Sequence, residues 1–341
     1  MSDDRAGKIL AGDPDVVSRA YDRLEKQPID WDIPNGDAPV VQRPQRTIER
    51  PVTIQGPGTF FGKSTRTVTL EPTELEGWWF DRVDLPDTLP VRVSIRNVWT
   101  TGLVVSNIVL RSGSPHNYIR MVEHIIALKM GMAVDNLMIR IDSGDPPLFT
   151  RGSLDLVEAM ESAGIREVDR PAQYVMVKEK VTVASPNGSF LTIAPCAPAC
   201  PSLKLDCAVD FKTAIRKQRI RFTLNKEHFK QGSEARTNTS AIKMFYCMTV
   251  GKLFADVRNL GYSMENILVA GKFCYYNKPR LFHEGKSLEA AWHRATLDLL
   301  AAIALIDDGQ FVGEITSFKA GHALDVEMVR LLYKNRLLKR L

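Results

Sequence analysis

The sequence predicts an α+β protein built as two similar layered domains. Three observations carry this. Strand-like alternation opens twice, at "RTIERPVTIQ" from Arg46 and at "RPAQYVMVKEKVTVA" from Arg170. Each opening passes through a Gly- or Pro-containing turn ("GPGTFFGK", "SPNGS") into a second strand ending near a proline ("STRTVTLEP", "FLTIAPC"), which suggests a duplicated plan. Helical patterns alternate with strands in both halves, and no Gly-x-Gly-x-x-Gly or Walker loop is present.

Taken in order, residues 1–45 form an N-terminal extension with one short helix, "DPDVVSRAYDRLEK", packed on or trailing from the body. The following "QPIDWDIPNGDAPVVQRPQ" is too rich in proline and polar residues for a core element. The first domain covers 46–165. In it "NYIRMVEHIIALKMG" reads as a helix with Met121, Ile125, Leu128 and Met132 on one stripe and Gly131 near its end. "VDNLMIRID" reads as a buried strand and "GSLDLVEAMESAG" as a helix closing at Gly164. The second domain covers 170–341, beyond a junction near "GIREVDRPA". Its helices are "SAIKMFYCMTVGKLFADVRNLG" and "SLEAAWHRATLDLLAAIALI"; its later strands are "ENILVAG", "KFCYYN" and "GEITSFK", with a βαβ-like insertion near 256–280.

Composition narrows the class. A chain of 341 residues, 44% hydrophobic and 25% charged, has the apolar content for a large core and suits two domains better than one. The longest apolar stretch, "LDLLAAIALI", carries Asp298 and is too short to cross a bilayer, and "MSDDRAGKIL" lacks the pattern of a signal peptide, so a cytoplasmic protein is expected. Five cysteines match no disulfide scaffold, and "CAPAC" lacks a second ligand pair, so buried or free thiols are expected. The net charge of +5 is small, and no basic cluster is interleaved with aromatics, which argues against a nucleic-acid partner. The tail "YKNRLLKRL" is basic and amphipathic; it could touch the inner membrane surface, though a solvated final helix is the blander reading. A monomer is expected.

Chemistry points to the histidines. Glu123 and His124 are adjacent in "MVEH", His293 precedes Asp298 in "HRATLD", and His322 follows glycine in "FKAGHALD". Together they supply what a zinc hydrolase needs: imidazoles and a carboxylate for the metal, a second carboxylate to accept a proton and another histidine to donate one. The separation of His293 and Asp298 is the difficulty, because on a regular helix i+5 lies roughly 140° from i. A one-residue insertion absorbed as a π-bulge near Arg294 to Leu297 would return Asp298 to the cavity of His293.

Six segments resemble, in order and at similar separations, the UDP-3-O-acyl-N-acetylglucosamine deacetylases of lipid A synthesis. They are "RTIERPVTIQGPG", "GWWFDRVDLP", "MVEHIIALKMGMAVDNLMIRID", "EARTNTS", "EAAWHRATLD" and "GEITSFKAGHAL", and the resemblance covers roughly 46–341. It implies two similar two-layer α/β sandwich domains with the active site at their interface. It also implies a zinc ion held by His124, His293 and Asp298, with Glu123 as general base, Thr237 polarising the substrate carbonyl and His322 as general acid. Arg294, standing for a family lysine, and Lys319 of the "KAGH" segment would contact the substrate, a UDP-sugar or acylated amino sugar. The insertion "LGYSMENILVAGKFCYYN" would line an apolar passage for the acyl chain through Leu260, Tyr262, Ile267, Leu268, Val269 and Phe273, or else form a small local core.

The sequence also departs from the family pattern. A family aspartate that orients the catalytic histidine is matched by Ala301 or Ala302, a Gly-Leu-His-Thr-Gly turn by "GTFFG", and an Asp-Gly-Ser by Arg151, Gly152 and Ser153. The reading is a zinc-dependent deacetylase hydrolysing the N-acetyl amide of a UDP-3-O-acyl-N-acetylglucosamine-like substrate. Its alternative is a non-catalytic or re-purposed paralogue that binds a nucleotide sugar, a lipid or a protein partner.

Overall fold

A computed structural model describes residues 4–33, 42–59, 64–102, 106–197, 201–249 and 261–341. The N-terminal extension is packed on the body. It forms β1 (Lys8–Ala11), α1 (Pro14–Glu25) and the two-residue β2 (Trp31–Asp32). Asp13 caps α1 by accepting from the N–H groups of Asp15 and Val16, and Pro14 opens its first turn. Val17, Ala20, Tyr21 and Leu24 recur at helical spacing and bury that face against Ala184, Phe190, Ala208 and Phe318.

The first half contains β3 (Pro44–Ile48), β4 (Val52–Pro57), β5 (Thr65–Glu71), β6 (Trp78–Arg82), β7 (Val91–Arg92), β8 (Val98–Thr100), β9 (Val109–Arg111) and β10 (Tyr118–Arg120). It continues with α2 (Glu123–Ile126), α3 (Leu128–Gly131), β11 (Leu137–Ile141) and α4 (Leu154–Ala163). Five strands form one sheet in the order β4-β5-β11-β6-β7, and β8, β9 and β10 form a small sheet of their own. α4 stops at Gly164, whose φ of +73° is the left-handed conformation glycine adopts freely. The helix expected across "NYIRMVEHIIALKMG" begins only at Glu123. Tyr118 to Arg120 pair instead with β9, and Met121, at φ +55°, turns the chain out of that ladder into α2.

The second half begins with β12 (Ile165–Pro171), paired antiparallel with β3, then β13 (Tyr174–Val177), β14 (Val181–Ala184), β15 (Phe190–Ala194), β16 (Leu203–Asp210) and β17 (Lys217–Thr223). Next come α5 (Lys226–Ser233), β18 (Thr237–Ser240), α6 (Ala241–Met248) and β19 (Ile267–Ala270), with β18 and β19 parallel. The βαβ unit therefore starts well before position 256. "KFCYYN" forms no strand, only a bridge between Tyr275 and Ala270. The chain ends with β20 (Phe282–His283), β21 (Lys286–Ser287), α7 (Glu289–His293), a π-helical turn (Arg294–Leu299), α8 (Leu300–Ala304), β22 (Gln310–Phe311), β23 (Gly313–Phe318), α9 (His322–Lys334) and β24 (Leu338–Arg340). The tail read as a basic amphipathic segment is thus split between the end of α9 and a strand paired with β13.

The larger sheet runs β1-β14-β15-β23-β16-β17-β2, so the extension supplies both of its edge strands. One main cluster of buried apolar residues, from Ile48 to Leu337, draws on both halves. α8 packs on α2, α3 and α9, and α5 crosses the π turn so closely that a Cβ on Gly232 would stand 2.4 Å from Thr296. Cys196, Cys207 and Cys274 are free thiols, and among the described residues no helix is long and apolar enough to cross a membrane.

Lys129, buried in α3, donates from Nζ to the carbonyls of Ala304 and Ile306 at 2.9 and 2.8 Å, where α8 leaves carbonyls without helical partners. Burial, outweighing the nearby Asp307, pushes its pKa down to about 8. Between about pH 8 and the ordinary lysine value near 10.4, the unfolded chain holds a proton here that the folded chain has released. Stability therefore rises with pH through that window, by on the order of 3 kcal/mol for this group. Urea midpoints measured from pH 7.5 to 10 should rise for the wild type relative to Lys129→Met; parallel midpoints would refute the assignment.

Candidate active site

The widened turn decides the site. Residues 294 to 299 form a π helix, in which each turn takes up an additional residue. Asp298, five positions after His293, is thereby brought to it: Oδ1 lies 3.4 Å from Nδ1 of His293. The same oxygen lies 3.3 Å from Nε2 of His322, which stands in the first turn of α9.

Around His293 two further groups gather from distant segments. Its Nε2 is 3.4 Å from Nε2 of His124 and 3.0 Å from Oγ1 of Thr237, and that hydroxyl is 3.3 Å from Nε2 of His124. Glu123, buried at the start of α2, accepts a short hydrogen bond from the N–H of Ile108 and presents Oε1 3.7 Å from Nε2 of His322. Nδ1 of His322 is buried and has no hydrogen-bond partner among the described residues. Sequence positions 123, 124, 237, 293, 298 and 322 thus meet in one place.

Two charged residues hidden in apolar runs set this geometry. Glu289, fully buried at the start of α7, pairs with Arg236 (Oε1 to Nε 2.8 Å) and accepts from the N–H of Arg280 at 2.6 Å. That pair ties Thr237, the next residue, to the helix of His293. Asp325 in α9 receives two hydrogen bonds from Arg294, at 2.7 and 2.5 Å, and Ser317 Oγ accepts from the same guanidinium at 3.2 and 3.1 Å. Sequence reasoning passed over Glu289 and Asp325. Their signal was a carboxylate set among apolar residues in "SLEAAW" and "HALDV", because an acidic residue buried in an apolar run is stable only when paired.

The electrostatics separate the two site carboxylates. Burial raises the pKa of Glu123, opposed by the neighbouring His322. Asp298 is only partly buried, and His293 and His322 outweigh its desolvation and hold it well below the usual carboxylate range. Burial, with His293 beside it, pushes His124 down to about 3, so its ring is neutral and able to coordinate. A permanent anion and a desolvated carboxylate of raised basicity side by side are the pattern of divided acid–base roles.

The histidine donors can be set against the geometry of a zinc site. Bonds of about 2.0–2.1 Å to a tetrahedral ion place neighbouring donor atoms roughly 3.3 Å apart, so the spacing of the two histidine Nε2 atoms suits such an ion. Asp298 faces the opposite nitrogen of His293, and among the described residues no group of three His, Cys, Asp or Glu side chains is arranged to hold an ion. Of the expected ligand set of His124, His293 and Asp298, the two imidazoles turn their Nε2 atoms toward one another and the carboxylate stands behind one of them. A proton on Nδ1 facing Asp298 leaves the Nε2 lone pair free for a metal.

Arg294, expected to meet the substrate, is 3% exposed and pairs in the interior with Asp325 and Ser317. The missing orienting aspartate at Ala301 or Ala302, both fully buried, is offset by Asp298, which reaches His322 from one turn earlier. Lys319 is partly exposed at φ +54°, three residues before His322. In the insertion, Ile267 and Val269 bury themselves with Met244 in a small local core, while Phe273 is exposed; Leu260 lies outside the described residues.

Residues 45–334 match the sequence profile of the family described as "UDP-3-O-acyl N-acetylglycosamine deacetylase". The chain belongs to that family. Among similar proteins, the UDP-3-O-acyl-N-acetylglucosamine deacetylase of Hahella chejuensis is 26% identical over 297 residues, covering 86% of this chain and 91% of that one. Those of Brucella ovis and Brucella abortus are each 27% identical over 293 residues, covering 84% of this chain and 94% of theirs. The deacetylase family match takes in every site residue from Glu123 to His322 and leaves the N-terminal extension outside.

Proposed function

We propose that this chain hydrolyses the N-acetyl amide of a UDP-3-O-acyl-N-acetylglucosamine-like substrate in lipid A biosynthesis, with zinc as its cofactor. The observation that supports it most is the meeting of Glu123, His124, Thr237, His293, Asp298 and His322 from six positions of the chain. His124 and His293 would hold the metal, whose Lewis acidity lowers the pKa of the attacking water and polarises the carbonyl.

The protein's own groups supply the proton transfers. Glu123 accepts the proton of the attacking water, its basicity raised by burial. The hydroxyl of Thr237 donates to the carbonyl oxygen as negative charge grows there. As the C–O bond to the acetyl carbon forms and the C–N bond breaks, His322 delivers a proton from Nε2 to the departing nitrogen. The products are acetate and the free amino sugar. Asp298 orients both His293 and His322, so one carboxylate serves the donor histidine and the proposed metal ligand together.

The alternative, a non-catalytic paralogue, draws on the position of Asp298 and the inward turn of Arg294. Zinc content and deacetylation of a UDP-3-O-acyl-N-acetylglucosamine, measured together, separate the two readings. The expected result is zinc near one equivalent and turnover in the wild type, with both lost in His293→Ala. Asp298→Ala should still bind zinc, weakened roughly 10–100-fold, because it removes a supporting carboxylate and not a ligand. A wild type with neither zinc nor turnover would select the paralogue. Loss of zinc in Asp298→Ala equal to that in His293→Ala would restore the three-ligand set.

A further inference from the structure

The N-terminal extension lies outside the family match, yet its contacts reach the helix that carries His293. α7 is the N-terminal end of one continuous helical run that passes through the π turn into α8, from Glu289 to Ala304. That end is fixed by what packs on it, because the widened turn separates it from the regular α8. Trp292, next to His293 and fully buried, lies with its ring centre 4.9 Å from that of Phe222 and meets Trp31 of the extension edge to face at 5.8 Å.

Trp31 is itself held. Its ring stacks on His283 at 4.3 Å, nearly parallel, and its neighbour Asp30 pairs with Lys286 at 2.6 Å. Both partners belong to the hairpin of β20 and β21 that leads directly into α7. A second connection runs through buried amides. Gln27 donates to the carbonyl of Gln218 at 3.1 Å, and the side chain of Gln218 accepts from the N–H of Ala291 at 3.0 Å. Four contacts thus join the extension to the hairpin and α7: Trp31 to Trp292, Trp31 to His283, Asp30 to Lys286, and Gln27 through Gln218 to Ala291.

We propose that Trp31 is a positioning residue for the active site: by packing on Trp292 it fixes α7 and so the place of His293. This rests on the reading of His293 as a site residue. The test compares Trp31→Ala and Trp31→Phe by hydrogen–deuterium exchange, thermal unfolding, and kcat and KM for the deacetylation. In Trp31→Ala, amides of 291–297 should exchange roughly tenfold faster while those of α4 are unchanged; kcat should fall by about tenfold with KM within about twofold, as expected of a displaced reacting group. Trp31→Phe, which keeps an aromatic ring, should recover both.

Unchanged exchange in α7, acceleration spread evenly over the chain, or a locally opened α7 with unaltered kcat would each overturn the proposal. If the wild type shows no turnover, the deacetylase reading fails, and the exchange measurement alone still decides whether Trp31 fixes α7.

Discussion

Replacing Glu123 with alanine is expected to slow deacetylation by roughly 10²–10⁴ while zinc stays bound. The carboxylate is buried, accepts a hydrogen bond from Ile108 and faces His322, but it is not among the atoms around Nε2 of His124 and His293. Removing it takes away a proton acceptor and leaves the imidazole donors in place. Glu123→Gln should lose as much activity, since an amide of nearly the same shape has no basicity to offer. Rates and zinc content measured side by side check this. A rate within a factor of about three of the wild type would move the base role elsewhere, and loss of zinc would show that Glu123 supports the metal-binding residues themselves.

The largest effect on stability is expected at Asp325. Its carboxylate and the guanidinium of Arg294 are both buried, and each meets the other's charge through two hydrogen bonds. In Asp325→Ala the guanidinium remains buried without its counter-charge, which should cost about 3–5 kcal/mol in a denaturant titration. Replacing both partners by apolar residues, as in Arg294→Met with Asp325→Leu, should recover most of that loss, because no unpaired charge is left inside. A double variant no more stable than Asp325→Ala would mean that the pair contributes geometry beyond its charges. One such contribution is visible: the pair joins the first residue of the π turn to α9, three positions after His322, and so holds His322 over Asp298.

Much of the molecule was legible because its causes are local. The short helix of the extension, the closing glycine of α4 and the strands β5 and β11 rest on patterns within a few residues, so reading them needs no knowledge of the fold. The widening at Arg294 to Leu299 was legible only against the resemblance: relative to the family's histidine and aspartate at i and i+4, this chain carries one residue more, and the π turn takes it up. The six segments shared with the family also pointed to the residues that gather at the site.

What only the tertiary structure decided is where long or charged side chains point and which distant segments meet. Arg294 could face a cleft or the interior, and the presence of Asp325, 31 positions away, turned it inward. Asp298 could approach either nitrogen of His293; the curvature of the π turn brought it to Nδ1 and within reach of His322. Met121 belongs to a helical stripe by periodicity, yet pairing of β10 with β9 ended the helix at Glu123. The extension reads as a polar, proline-rich leader, but it contributes both edge strands of the larger sheet and the aromatic ring that packs on Trp292. The physical reason is the same in each case. Caps, turns and periodicity are settled by neighbours in sequence, whereas desolvation of a charge, ladder pairing and ring packing depend on partners that only the folded chain brings together.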